Sequence, residues 1–150
     1  MHIRNFFASA AAAAALALAA APAQAQVYAP GQFTIDGIAL SCGAYPTVVT
    51  TQIPDAGMFN GRAILLNTNA LGRMPTVLKM FVYAHECGHA VVGADEVAAD
   101  CWAIRLGRDQ GWFPPQAFSL LMQMFAGNPG SLRHPPGHAR VQNMLQCYQS

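Results

Sequence analysis

Charge is what this chain has least of: 10% of its 150 residues are Asp, Glu, Lys or Arg, and the formal net charge is +1. A near-neutral chain offers no basic surface for a nucleic-acid backbone or an anionic membrane, so neither is an expected partner. Long apolar runs are also missing. The nearest to one, Phe6 to Ala21, is shorter than the ~20 residues a membrane span needs and is mostly alanine. It follows a basic start at His2 and Arg4 and precedes Ala23-Gln24-Ala25, a small-x-small cleavage site. Together these read as a secretory signal peptide over residues 1–25. Its removal takes away Arg4 and leaves seven basic against seven acidic residues from Gln26 onward. The expected location is periplasmic or extracellular, with no stable membrane anchor once the leader is gone. With 53% of the chain hydrophobic, residues 26–150 have the size and composition for one domain with a buried core.

Glutamate is scarcer still. Both glutamates, Glu86 and Glu96, lie in one short stretch, and four of the seven carboxylates fall between positions 86 and 100. That stretch begins His85-Glu86-Cys87-Gly88-His89. Histidines at i and i+4 of a helix stand one above the other, roughly 6 Å apart at Cβ, so both imidazoles can reach one ion. Glu86 is then placed to address a water on that ion as general base. A structural zinc site closes with four protein ligands, whereas a catalytic one uses three and leaves a place for water, so the third ligand matters most.

The candidates for that third ligand are Asp95, Glu96, Asp100, His134 and His138. On one straight helix Glu96 would lie about 10 Å along the axis from His89, beyond reach of a shared ion. The helix is therefore expected to end between them, with Gly93 as the stop and Asp95 as the N-cap of the next helix. In an antiparallel helix pair, facing positions have residue numbers that add to one value. His89 with Glu96 and His85 with Asp100 share that value, which makes Glu96 the third ligand and lets Asp100 accept the other ring N–H of His85.

His-Glu-x-x-His followed by Glu-x-x-x-Asp resembles the signature of the gluzincin metallopeptidases, thermolysin included. There the Glu is the third zinc ligand and the Asp supports the first His. A metzincin would carry a third histidine at position 95, which is Asp. The tail His134-Pro135-Pro136-Gly137-His138-Ala139-Arg140-Val141 is similar to the His-Pro-Pro-x-x-x-Arg segment of the CAAX prenyl endopeptidase group and its small soluble relatives. The resemblance, covering roughly Tyr83 to Val141, implies a zinc metallopeptidase acting on peptide or protein. Zn2+ would sit on His85, His89 and Glu96, with Glu86 as base and His134 as donor to the oxyanion. His138 is second in that role, and a surface or capping histidine is the alternative for either. The membrane helices of the large relatives are absent, so processing of prenylated membrane proteins is not implied. In gluzincins the strand before the active-site helix is the edge on which a peptide is laid, and Ala63 to Asn67 is similarly placed; an ordinary core strand is the other reading.

The fold expected is α+β, a small zincin-like domain with a short N-terminal sheet, the His-Glu-x-x-His helix paired with a second helix, and C-terminal helices. Candidate strands are Phe33 to Leu40, Thr47 to Ile53 and Arg62 to Asn67, the last two paired as a hairpin through the turn signals Pro54 to Gly57 and Asn60-Gly61. A buried helix is expected from Pro75 to Val92, with Gly88 allowing close backbone approach, a second from Glu96 to about Arg108, and a third after Pro114-Pro115. Phe118, Leu121, Met122 and Phe125 form the third helix's apolar stripe, its methionines filling the core. The even count of four cysteines, in an exported chain, points to disulfides. Cys87 and Cys101 lie on opposite arms of the helix pair about 4.5 Å out of level, which favours that pairing and leaves Cys42 with Cys147. Cys87, about 200° round the helix from His85, points away from the metal. Beside the peptidase reading stand a non-catalytic, metal-stabilised binding or structural module and a chain whose motif holds no metal.

Overall fold

The computed structural model describes residues 25–132 and 134–150. The expected leader over residues 1–25 lies, except for Ala25, outside the described residues. The architecture is mixed α+β. Strands β1 (Gln26–Tyr28), β4 (Thr47–Thr50), β5 (Gly57–Phe59) and β6 (Ile64–Asn67) form one sheet in the order β1-β4-β6-β5, and β2 (Phe33–Ile35) pairs with β3 (Ile38–Leu40) in a second.

Two strand expectations are corrected. Phe33 to Leu40 is not one strand, because Asp36 and Gly37 both take positive φ (49° and 84°), as a two-residue hairpin turn demands. Thr47 to Ile53 and Arg62 to Asn67 do not form a hairpin: β4 runs parallel to β6, and the chain between them makes β5, which pairs antiparallel with β6. Asn60-Gly61 closes that second hairpin, with the Asn60 side chain accepting from the Arg62 and Ala63 N–H groups, both at 2.9 Å. The edges of this sheet are therefore β1 and β5, and β6, with a neighbour on each side, is interior.

Helix α1 (Thr68–Leu71) is a single turn. Helix α2 (Thr76–Val92) starts after Pro75 and is buried along most of its length, from Leu78 to Gly88. It ends where the sequence indicates: Gly93 has φ 81°, and its N–H bonds the His89 carbonyl at 3.1 Å. Helix α3 (Glu96–Asp109) follows at once, its first turn capped by Asp95, whose side chain accepts from the Ala98 N–H at 3.0 Å. A 3-10 turn (Pro115–Ala117) leads into α4 (Phe118–Phe125), and α5 (Gly137–Gln149) completes the chain. Phe118, Leu121 and Phe125 are buried as expected, but Met122 is 56% exposed and faces away from the core.

Helix α2 is sandwiched. One side packs on the strands through Phe33, Ile35, Leu66, Met80 and Tyr83, and the other on α3, α4 and α5 through Phe81, Ala84, Ile104, Leu121 and Met144. Between α2 and α3 the contact is backbone-close, since a Cβ on Gly88 would stand 3.0 Å from the Ala99 carbonyl oxygen.

That seam explains why the expected disulfide pairing fails. The bonds are Cys42–Cys87 and Cys101–Cys147, with Cα separations of 5.6 and 5.3 Å. Cys87, one residue and about 100° round from Gly88, turns out of the α2–α3 seam into the strand-side core beside Phe33 and Cys42. Cys101 faces α5, where its helical neighbour Arg105 bonds the Cys147 carbonyl. No described helix is long and apolar enough to cross a membrane.

Candidate metal centre

The antiparallel α2–α3 pair brings His85, His89 and Glu96 together, with one ligand atom from each lying within 4.8 Å of the others. His85 Nε2 is 3.1 Å from His89 Nε2, and Glu96 places Oε2 3.3 Å from the first and Oε1 3.5 Å from the second. Asp95, one residue earlier, is spent on the cap.

The partners of the other ring nitrogens settle what these atoms offer. His89 Nδ1 is 2.8 Å from the Gly93 carbonyl, which can only accept, so Nδ1 carries the proton. His85 Nδ1 lies 2.9 Å from Asp100 Oδ1, also an acceptor only, so it carries the proton likewise, although the pair is not aligned as a hydrogen bond. In the uncharged form of each ring Nε2 therefore carries the lone pair, and the two lone pairs face each other. Glu96 Oε2 is buried and, among the described residues, has no hydrogen-bond donor aligned on it. Two imidazole lone pairs and an unsatisfied carboxylate oxygen converging on one point fit a cation, and His85, His89 and Glu96 could hold a metal ion there.

Charge around the cluster is balanced by a residue to which the sequence assigned no role. Arg140, buried on α5, clamps Asp100 through Nε at 2.7 Å and Nη2 at 2.6 Å, and its guanidinium lies 4.6 Å from the Phe125 ring centre. It also stands 3.9 Å from Glu96 Oε2. A chain of contacts thus runs from α5 through Asp100 to His85. The one sequence signal for it was the arginine of the His-Pro-Pro-x-x-x-Arg segment.

On protein groups alone, burial works against a charge on His85, but the neighbouring carboxylates of Asp100 and Glu96 outweigh it and raise the imidazole to about 9. Burial likewise opposes ionisation of Asp100 and Glu96, yet both are held below the usual carboxylate range, Asp100 mainly by Arg140 and Glu96 mainly by His85. Glu86 goes the other way: burial lifts it, against the pull of the two histidines and of a main-chain donor. That donor is the Phe59 N–H, 2.8 Å from Glu86 Oε2.

Glu86 and His85 sit where two clefts of about 400 and 830 Å³ meet, with Gly57 and His134 also lining both. His134 reaches the cluster from the loop before α5. Its Nε2 is 3.2 Å from Glu96 Oε1, its Nδ1 is 3.2 Å from Ser131 Oγ, and its side chain is 43% exposed. His138 is not brought to the cluster; it is exposed and lines a separate apolar groove of about 460 Å³ with Met122, Phe125 and Val141. Cys87 lies outside the cluster, bonded to Cys42.

No protein-family model matches the chain, and no curated protein or solved structure matches it.

Proposed function

We propose that this chain is an exported zinc metallopeptidase of gluzincin type, similar to the soluble relatives of the CAAX prenyl endopeptidase group, that hydrolyses peptide bonds in extended polypeptide. The carrying observation is the convergence of the His85 and His89 Nε2 atoms with the buried Oε2 of Glu96, on which no hydrogen-bond donor is aligned, at a cleft that Glu86 also lines. Zinc held by His85, His89 and Glu96 would supply a Lewis acid for the scissile carbonyl and make water acidic near neutral pH.

The chain's own groups account for the rest. Asp100 fixes the His85 ring by accepting its Nδ1 proton, and Arg140 fixes Asp100. Glu86 takes a proton from the attacking water as the new C–O bond forms, then delivers it to the leaving nitrogen as the C–N bond breaks. Burial, which raises the proton affinity of Glu86, suits both halves of that transfer. His134, half-exposed at the cleft, donates from its ring to the carbonyl oxygen as negative charge develops. Two disulfides support an oxidising compartment and so the export reading.

Metal content of the purified mature chain, measured beside cleavage of a mixed peptide library with and without chelator, tests the reading. One zinc per chain with chelator-sensitive cleavage is expected. Zinc bound at one per chain with no cleavage, in wild type and Glu86→Gln alike, would assign the chain to the metal-stabilised binding modules instead.

A further inference from the structure

Strand β5 pairs with β6 in the register Gly57 to Leu66, Met58 to Leu65 and Phe59 to Ile64. The bonds flanking it run from the Asn67 N–H to the Ala56 carbonyl (2.9 Å) and from the Asn60 N–H to the Ala63 carbonyl (3.3 Å). Hydrogen-bonded and non-bonded pairs alternate along an antiparallel ladder. Met58 therefore directs both main-chain groups to Leu65, while Gly57 and Phe59 turn theirs off the sheet edge. Off that edge stands α2, and the Phe59 N–H meets Glu86 Oε2 at 2.8 Å.

A strand can come that near only if nothing projects from it. A Cβ on Gly57 would stand 2.8 Å from Glu86 Cγ, 2.8 Å from Val82 Cγ1 and 3.1 Å from Glu86 Oε1. Gly57 is absent from the positive-φ glycines, so the close approach, and not backbone freedom, accounts for it. Val82 is β-branched with a stiff χ1 and sits on a buried helix, so the group that would give way is the Glu86 side chain.

We infer that β5 is the positioning element for Glu86. The Phe59 N–H ties down one carboxylate oxygen and so sets which one faces the cleft, and Gly57 is the residue whose missing side chain makes that geometry possible. The inference rests on Glu86 as the proton acceptor of the proposed reaction, and its test includes a reading that needs no turnover.

The test compares wild type, Glu86→Gln and Gly57→Ala by amide NMR, zinc content and peptide hydrolysis. The Phe59 amide proton should lie downfield in wild type, as a bond to a carboxylate requires, and move upfield in both variants. Gly57→Ala should keep one zinc per chain and lose about 10 to 100-fold in kcat with KM changed less than about 2-fold, the pattern of a displaced base. A Phe59 amide that does not respond to Glu86→Gln, or a folded Gly57→Ala with full kcat, overturns the inference. If wild type cleaves nothing while the amide still responds to Glu86→Gln, the peptidase reading fails and the strand's hold on Glu86 stands.

Discussion

Two imidazoles whose free nitrogens face each other at 3.1 Å are in electrostatic conflict until a cation lies between them. A proton is one such cation, and His85, raised to about 9, carries it at neutral pH in the absence of metal. A raised folded-state value means that the charge pairing of His85 with Asp100 and Glu96 stabilises the metal-free protein below the ordinary histidine range and is lost as pH rises through about 9. Metal must displace that proton. Zinc binding at pH 7 should therefore release about one proton per chain, read as a buffer-dependent enthalpy in calorimetry, and apparent affinity should rise with pH up to about 9. The three neighbouring carboxylates should separate cleanly by role. Glu96→Ala removes one of the three groups that could hold the ion and should abolish tight zinc binding. Asp100→Asn should keep the metal with affinity or activity reduced about 10 to 100-fold, and Asp95→Ala should cost on the order of 1 kcal/mol through the lost cap with metal and activity intact. Metal titration of the three variants checks the order; Asp95 proving indispensable would mean that the turn between the helices lies elsewhere.

The elements show what a sequence carries locally and what it does not. The break at Gly93, the cap at Asp95 and the meeting of Glu96 with His89 were legible because glycine and capping chemistry act within a few residues, and helix geometry then fixes who faces whom. Strand order was not legible. The parallel pairing of β4 with β6 places the intervening β5 on the outside, a choice made by contacts with α2 that no turn signal announces. The cysteines failed for a related reason: level along two helix axes was counted, but the direction round each axis decided the bonds. The role of Arg140 was hidden because an arginine on a helix ordinarily reads as surface, and its partner Asp100 lies forty residues earlier. Helix α5 carries that arginine and is itself bonded to α3 through Cys101–Cys147, which closes a loop with sequence separation 46. Replacing both of those cysteines by serine should cost about 4 kcal/mol in chemical denaturation. Arg140→Met should cost about 3 to 5 kcal/mol, since it strands a buried carboxylate, and most of that should return in the Arg140→Met/Asp100→Asn double variant.

For the molecule as a whole, the proposed export would come before everything else the site needs. The mature chain should begin at Gln26 and contain no free thiol, so intact mass under non-reducing conditions should match residues 26–150 less four hydrogens. A single alkylatable cysteine would contradict that expectation. Oxidation also bears on the choice of metal. In the reduced, unfolded chain Cys87 is a soft thiol flanked within two residues on either side by the borderline imidazoles of His85 and His89, a trio that would capture copper(I) or zinc in the wrong coordination. The bond to Cys42 takes that sulfur out of competition, because a disulfide has no proton to lose and presents no negative charge, while the helix it braces turns the two imidazoles the other way. If the proposed zinc site is right, disulfide formation would act as a filter ahead of metallation: chain refolded oxidised and then given equal zinc and copper(I) should take zinc at the histidines, whereas chain given the same mixture while reduced should retain copper.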